Sequence, residues 1–199
     1  MEKGEGSRDG TGALHHVERT LSPMPVDGEL RAELLAMLAE HRDAVALART
    51  DPTLTDARRV VEQRHADRIW TILDDYETWP GRRLVGDDGA QAGWILVQEA
   101  IEDPGLQRRC LELLEVAVDS GDADPQHYAL LLDRVRMADG LPQLYGSQFV
   151  VGRSGDLEPW PIDDLAAVEQ RRRKVGLPPF ADHSAEMRAR WRERSTARE

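Results

Sequence analysis

A mostly α fold, a compact antiparallel helical bundle with a short C-terminal β-hairpin, is predicted by three observations. Apolar residues recur at helical spacing over most of the chain. Asp-Pro pairs at 103–104 and 124–125 place an N-cap and a first-turn proline at successive helix starts. The only strand-like stretch is a pair of short segments flanking Gly152-Arg153-Ser154-Gly155.

Residues 1–25 are rich in small and polar side chains, end at Pro23 and Pro25, and are expected to be disordered. His15 and His16 lie there as an isolated pair, read as solvated. A first helix is expected from about Asp27 to Ala48, with Leu30, Leu34, Leu35, Leu38 and Val45 on its apolar stripe. Asp51-Pro52 breaks it, because a residue before proline avoids the α region. Thr55 is the expected N-cap of a second helix reaching Thr78, with Val61, Ile69, Ile72, Leu73 and Tyr76 inward. Trp79-Pro80-Gly81 ends it, and Asp87-Asp88 suits the start of a third helix over Gly89–Glu102. Ala90, Trp94, Val97 and Ile101 share one face of that helix.

The fourth helix follows Asp103-Pro104 and stops at Gly121; the fifth follows Asp124-Pro125 and runs to Asp139, with Gly140 beyond its end. Short turns between such helices favour antiparallel neighbours. A ribbon is expected over about 147–160, with Pro159 confined to an edge strand. Asp163 is the expected cap of a sixth helix ended by Gly176. Leu177-Pro178-Pro179-Phe180 reads as a packing segment, and a last helix is expected near Ser184–Glu193. Residues 26–182 thus form one helical domain and 183–199 a basic helix or tail.

Composition narrows the function classes. Of 199 residues 40% are hydrophobic, enough for one core, and no run of 18 apolar residues would span a membrane. Met1–Gly12 carries no apolar signal region, so a cytoplasmic location is expected. The net charge is −11, which repels phosphate backbones and argues against nucleic acid as partner. Residues 1–164 hold 17 basic and 32 acidic side chains, whereas residues 165–199 hold 9 and 5. Cys110 is the single cysteine, so no internal disulfide or cysteine-based zinc cluster forms. Nucleotide loops, His-Glu-x-x-His and Gly-x-Ser-x-Gly are missing, and Asp119, Asp122 and Asp124 lack the glycine and glutamate of a calcium loop. No metal or cofactor is expected.

Polar side chains on apolar helix faces are the remaining signal. Gln98 shares the stripe of Trp94 and Ile101; Asp133 and Arg134 sit among Ala129, Leu130, Leu131, Met137 and Ala138; His65 and Arg68 lie on the stripe of Val61 and Ile72. Burying such groups is costly unless they are paired, and adjacent Asp133 and Arg134 cannot face each other on a helix. Gln143-Leu144-Tyr145-Gly146-Ser147-Gln148 adds several donors and acceptors at the helix-to-ribbon junction. One reading is a purely structural network; the other is a pocket.

Trp79-Pro80, Val85-Gly86, Trp94, Gln98, Gln107, Asp133-Arg134, Gln143-x-Tyr145-Gly146-Ser147-Gln148 and Gly176–Pro179, in this order, resemble a bacterial family of domains of unknown function. Its motif reads Gln-x-Tyr-Gly-Thr-Gln, and the resemblance covers roughly residues 60–180. It implies a mostly α fold and no transferable activity. Ser147 stands where the family has threonine, and Glu99 where the family commonly has histidine.

The expected function is a cofactor-independent pocket that binds a small polar molecule or peptide segment and modifies it by acid/base chemistry. Natural-product or peptide tailoring is one setting for such a pocket, with no residue pointing to it. Glu99, Asp133 and Tyr145 are the candidate catalytic groups; Trp94, Gln98, Arg134, Gln143 and Gln148 are the candidate binding groups. The alternative is a non-catalytic interaction module with a structural polar network, and a homodimer stays open.

Overall fold

The structure, a computed structural model, describes residues 27–196. The predicted disordered segment and the His15-His16 pair lie outside the described residues. Seven α-helices and one two-stranded antiparallel sheet make up the described chain, a mostly α fold.

Helix α1 (Gly28–Thr50) starts where the Asp27 carboxylate accepts from the Leu30 amide at 2.8 Å. It stops at Asp51, which turns extended ahead of Pro52. A 3₁₀ turn (Pro52–Leu54), capped by Asp51, leads directly into α2 (Thr55–Tyr76). Thr55 is therefore the first helical residue rather than the cap, and its hydroxyl donates to the Pro52 carbonyl at 2.7 Å. Helix α2 ends at Tyr76, two residues short of the expected limit, with Glu77 as its C-cap.

Helix α3 (Arg82–Glu99) departs most from expectation. It begins seven residues early, because the Arg82 and Arg83 amides donate to the Asp122 carbonyl and carboxylate, and Gly86 (φ 73°, ψ 171°) then breaks it. It also ends three residues early, so Ile101, expected on the buried face, is 57% exposed. The cause is tertiary: buried Gln107 of α4 (Pro104–Asp119) donates from Nε2 to the Val97 carbonyl at 3.0 Å, satisfying the terminus of α3. Helices α4 and α5 (Pro125–Ala138) start as expected, at Asp103 and Asp124.

Strands β1 (Phe149–Val151) and β2 (Leu157–Pro159) pair antiparallel, Phe149 opposite Pro159. Asp164, not Asp163, caps the next 3₁₀ turn (Leu165–Ala167), which leads into α6 (Val168–Lys174). Helix α7 (Phe180–Thr196) starts four residues before the expected Ser184 and lies on the ribbon. There Arg188 donates to the Leu157 carbonyl and Trp191 to that of Gly155.

α1 packs more extensively on α3 than on its sequence neighbour α2, and α4 packs on α5. Leu34, Ile69, Ile72, Leu73, Trp79, Leu106, Leu114 and Leu131 are fully buried in this core. Each such side chain contributes about 1.5–3 kcal/mol. Among the described residues no helix is long and apolar enough to cross a membrane, and no group of three or more His, Cys, Asp or Glu is placed to hold a metal ion.

Candidate functional site

Asp133, on the inner face of α5, has no exposed surface. Its Oδ1 accepts from the Leu144 amide (2.7 Å) and the Tyr145 amide (3.0 Å). Its Oδ2 accepts from the Ser147 amide (3.0 Å) and hydroxyl (2.9 Å). The loop's carbonyls are taken from the opposite side. Arg172 of α6, itself buried, donates to the Tyr145 carbonyl (2.6 Å) and the Pro178 carbonyl (2.6 Å), while Arg171 donates to that of Leu144 (2.7 Å).

Gln143 is equally enclosed. Its Nε2 donates to the Gln148 and Trp160 carbonyls (2.9 and 2.7 Å), and its Oε1 accepts from the Gln148 amide (2.7 Å). Gln148 donates from its own Nε2 to the Ser147 hydroxyl at 3.1 Å. The Tyr145 phenol is half-buried, and burial raises its pKa above the ordinary 10.0. Asp133, Gln143, Tyr145 and Gln148 are thus brought together as one network around the junction.

Trp94, Gln98 and Arg134 form a separate group on the seam between α3 and α5. The Arg134 Nε donates to Gln98 Oε1 at 3.0 Å, and burial pulls the guanidinium pKa down against the favourable Glu99 carboxylate. Gln98 Nε2 is buried without a hydrogen-bond partner. Trp94 stacks on His127, ring centroids 4.1 Å apart, and donates to the His127 carbonyl at 3.2 Å. Adjacent in sequence, Asp133 and Arg134 serve different groups.

Glu99 borders two open clefts. One, of about 320 Å³, lies between α2 (Arg58, Arg59, Val60, Glu62, Ala66) and the α3–α4 connection. The other, of about 360 Å³, is lined by His41, Val45, Ala48 and Arg49 of α1, Thr55 and Arg58 of α2, and Glu99. Arg58 and Glu99 are common to both. Further clefts beside His127 (about 220 Å³) and between ribbon and α7 (about 360 Å³) contain none of the other seven candidates.

His41 is a residue the sequence reading passed over. It follows Met37 and Leu38 by four and three positions on the buried stripe of α1, the pattern that singled out His65. Burial holds its pKa below the ordinary 6.5, although Glu99 and Glu62 favour the charged form, so the ring is neutral at pH 7. Its Nδ1 lies 3.9 Å from Glu62 Oε1. A neutral imidazole backed by one carboxylate and facing another can accept and return a proton. His65 is also buried, with Nε2 3.0 Å from Glu40 and Nδ1 unpartnered, and Arg68 forks onto Glu33 at 2.6 and 2.9 Å.

Fold and site together define a small helical domain with a saturated polar junction at one end and a charged double cleft beside α1. The chain belongs to DUF6624, a family of unknown function, whose model matches residues 29–189. No curated protein and no solved structure matches the chain.

Proposed function

We propose that this protein binds a small polar molecule or peptide segment in the double cleft and modifies it by proton transfer, with His41 as the general base and Glu99 as the carboxylate that holds the guest beside it. Glu99 carries the reading: half-buried, its carboxylate without a hydrogen bond or direct ion pair among the described residues, it lines both clefts and acts through its charge on His41 and Arg134. A carboxylate left unpaired beside open volume has its interaction free energy available to a guest. Arg58, tied to Glu62 at 3.4 Å, is the fixed cation of the shared wall. In this reading Asp133, Gln143, Tyr145 and Gln148 hold the junction together, and Trp94, Gln98 and Arg134 hold α3 on α5.

The test is a panel of amino acids, short peptides and small carboxylic acids screened by amide NMR on wild-type protein and Glu99→Gln. Binders are expected to shift resonances around His41, Arg58 and Glu99, and to lose at least about tenfold in affinity in the variant. Shifts centred on Tyr145 and Gln148, or binding untouched by Glu99→Gln, would return the site to the junction. The second reading, a non-catalytic module, draws on how completely Asp133 and Gln143 are used up by their own loop.

A further inference from the structure

The charges around the double cleft are unequally satisfied. In the cleft toward the α3–α4 connection, both cations already have carboxylate partners: Arg58 with Glu62 and Arg59 with Asp56, each at 3.4 Å. The Asp103 carboxylate is also engaged, accepting from the Trp70 indole (2.8 Å) and the Leu106 amide (2.9 Å). The Glu99 and Glu102 carboxylates have no hydrogen bond or direct ion pair among the described residues, Arg134 acting on Glu99 only through its charge, so this end carries negative charge without a contacting cation. In the cleft toward α1 the uncompensated group is a cation, Arg49, without an ion pair or side-chain hydrogen bond among the described residues. Unsatisfied charge therefore runs from positive at Arg49 to negative at Glu99 and Glu102.

Apolar surface lies between and beneath these ends. Val60 is 67% exposed and Ile101 57%, with Ala66 and Ala100 beside them and Val45 and Ala48 toward Arg49. A plain anion would meet Glu99, and a plain amine would leave Arg49 unused. We infer that the ligand is a zwitterion with an apolar side chain, a short linear peptide with free ends, its carboxylate toward Arg49 and its ammonium toward Glu99 and Glu102. A guanidinium recognises a carboxylate through a two-pronged fork, and an ammonium is matched by unpaired carboxylates. Each cleft, at about 320 and 360 Å³, falls in the size range of small-molecule sites.

This inference rests on the double cleft being the binding site, and the experiment separates the two. Leucyl-leucine, its N-acetyl form and its C-terminal amide are titrated into the full chain, with amide NMR reading both site and affinity. Free leucyl-leucine is expected to shift residues of both clefts, and each capped form to bind about tenfold more weakly. In Glu99→Gln the acetyl penalty shrinks toward onefold while the amide penalty stays; in Arg49→Ala the reverse holds. Equal binding of free and capped peptides in the clefts overturns the zwitterion and leaves the cleft standing. Failure of all three peptides to move any cleft resonance overturns the peptide, and the cleft itself falls only if the wider panel shifts resonances elsewhere.

Discussion

A single carboxylate organises the junction between α5 and the ribbon. Asp133 takes four donor groups from Leu144, Tyr145 and Ser147 in a site without water-exposed surface, and hydrogen bonds to a charged acceptor contribute about 1.5–3 kcal/mol each. Asp133→Asn removes the charge and turns one acceptor into a donor aimed at backbone amides. It is expected to cost about 2–4 kcal/mol by urea denaturation; a loss below about 0.5 kcal/mol would mean that Gln143 and Arg172 hold the loop without it. Arg172 is the matching cation, and burial lowers its pKa while Glu169 and Asp133 sustain the charge. That Asp133, Arg134 and Gln98 need partners is legible in the sequence, since they interrupt apolar stripes. Which partners they find is not, because those come from a loop ten or more residues away and from another helix. His41 was legible by the same criterion, whereas Arg49 and Arg58 look like ordinary surface arginines until the fold sets them around Glu99.

The Asp-Pro starts of α4 and α5 are the most legible boundaries, because an N-cap acts over three residues, whereas α3 and α7 begin well before their expected starts. Asp103 illustrates it: one oxygen caps α4 at Leu106 and the other accepts from Trp70. Asp103→Ala is expected to lower stability by about 1–2 kcal/mol and to change the tryptophan near-ultraviolet signal, whereas a lost cap alone would leave that signal in place. The end of α3 shows where local spacing stops being informative. The apolar spacing of Val97 and Ile101 continues past Glu99, yet α3 stops there because Gln107 takes its last carbonyls. The ribbon junction depends on Gly146, whose φ is 68° and whose missing Cβ would lie 2.7 Å from the Phe180 ring. Gly146→Ala combines left-handed strain with that clash and is expected to cost at least about 2 kcal/mol in thermal or urea unfolding. An unchanged midpoint would mean that Phe180 swings away freely.

For the molecule as a whole, titration works against the fold in acid. Burial lowers the pKa of His41, His127 and His183 below 6.5. The unfolded chain therefore binds more protons than the folded one as pH falls below that value, and stability drops until each folded ring is protonated in turn. A second loss follows at lower pH, because Arg68 holds Glu33 below the ordinary 4.5 and Arg31 holds Asp88 below 3.8. The melting temperature is expected to be flat from pH 8 to about 7, to fall below about 6.5, and to fall again below about 4.5. His41→Gln should flatten the first step; a melting temperature constant between pH 7.5 and 5.5 would contradict the burial of these rings.

The turn at 144–147 is gripped from two directions. Its amides face an anion on α5, and its carbonyls face cations on α6, a helix that begins more than twenty residues later. Either grip alone leaves half of the turn's polar backbone stranded, so the segment cannot close until both helices have arrived. It behaves as a latch with two keys. Amide protons of Leu144, Tyr145 and Ser147 should exchange in step with α6, and loosening that short helix should release the ribbon along with it.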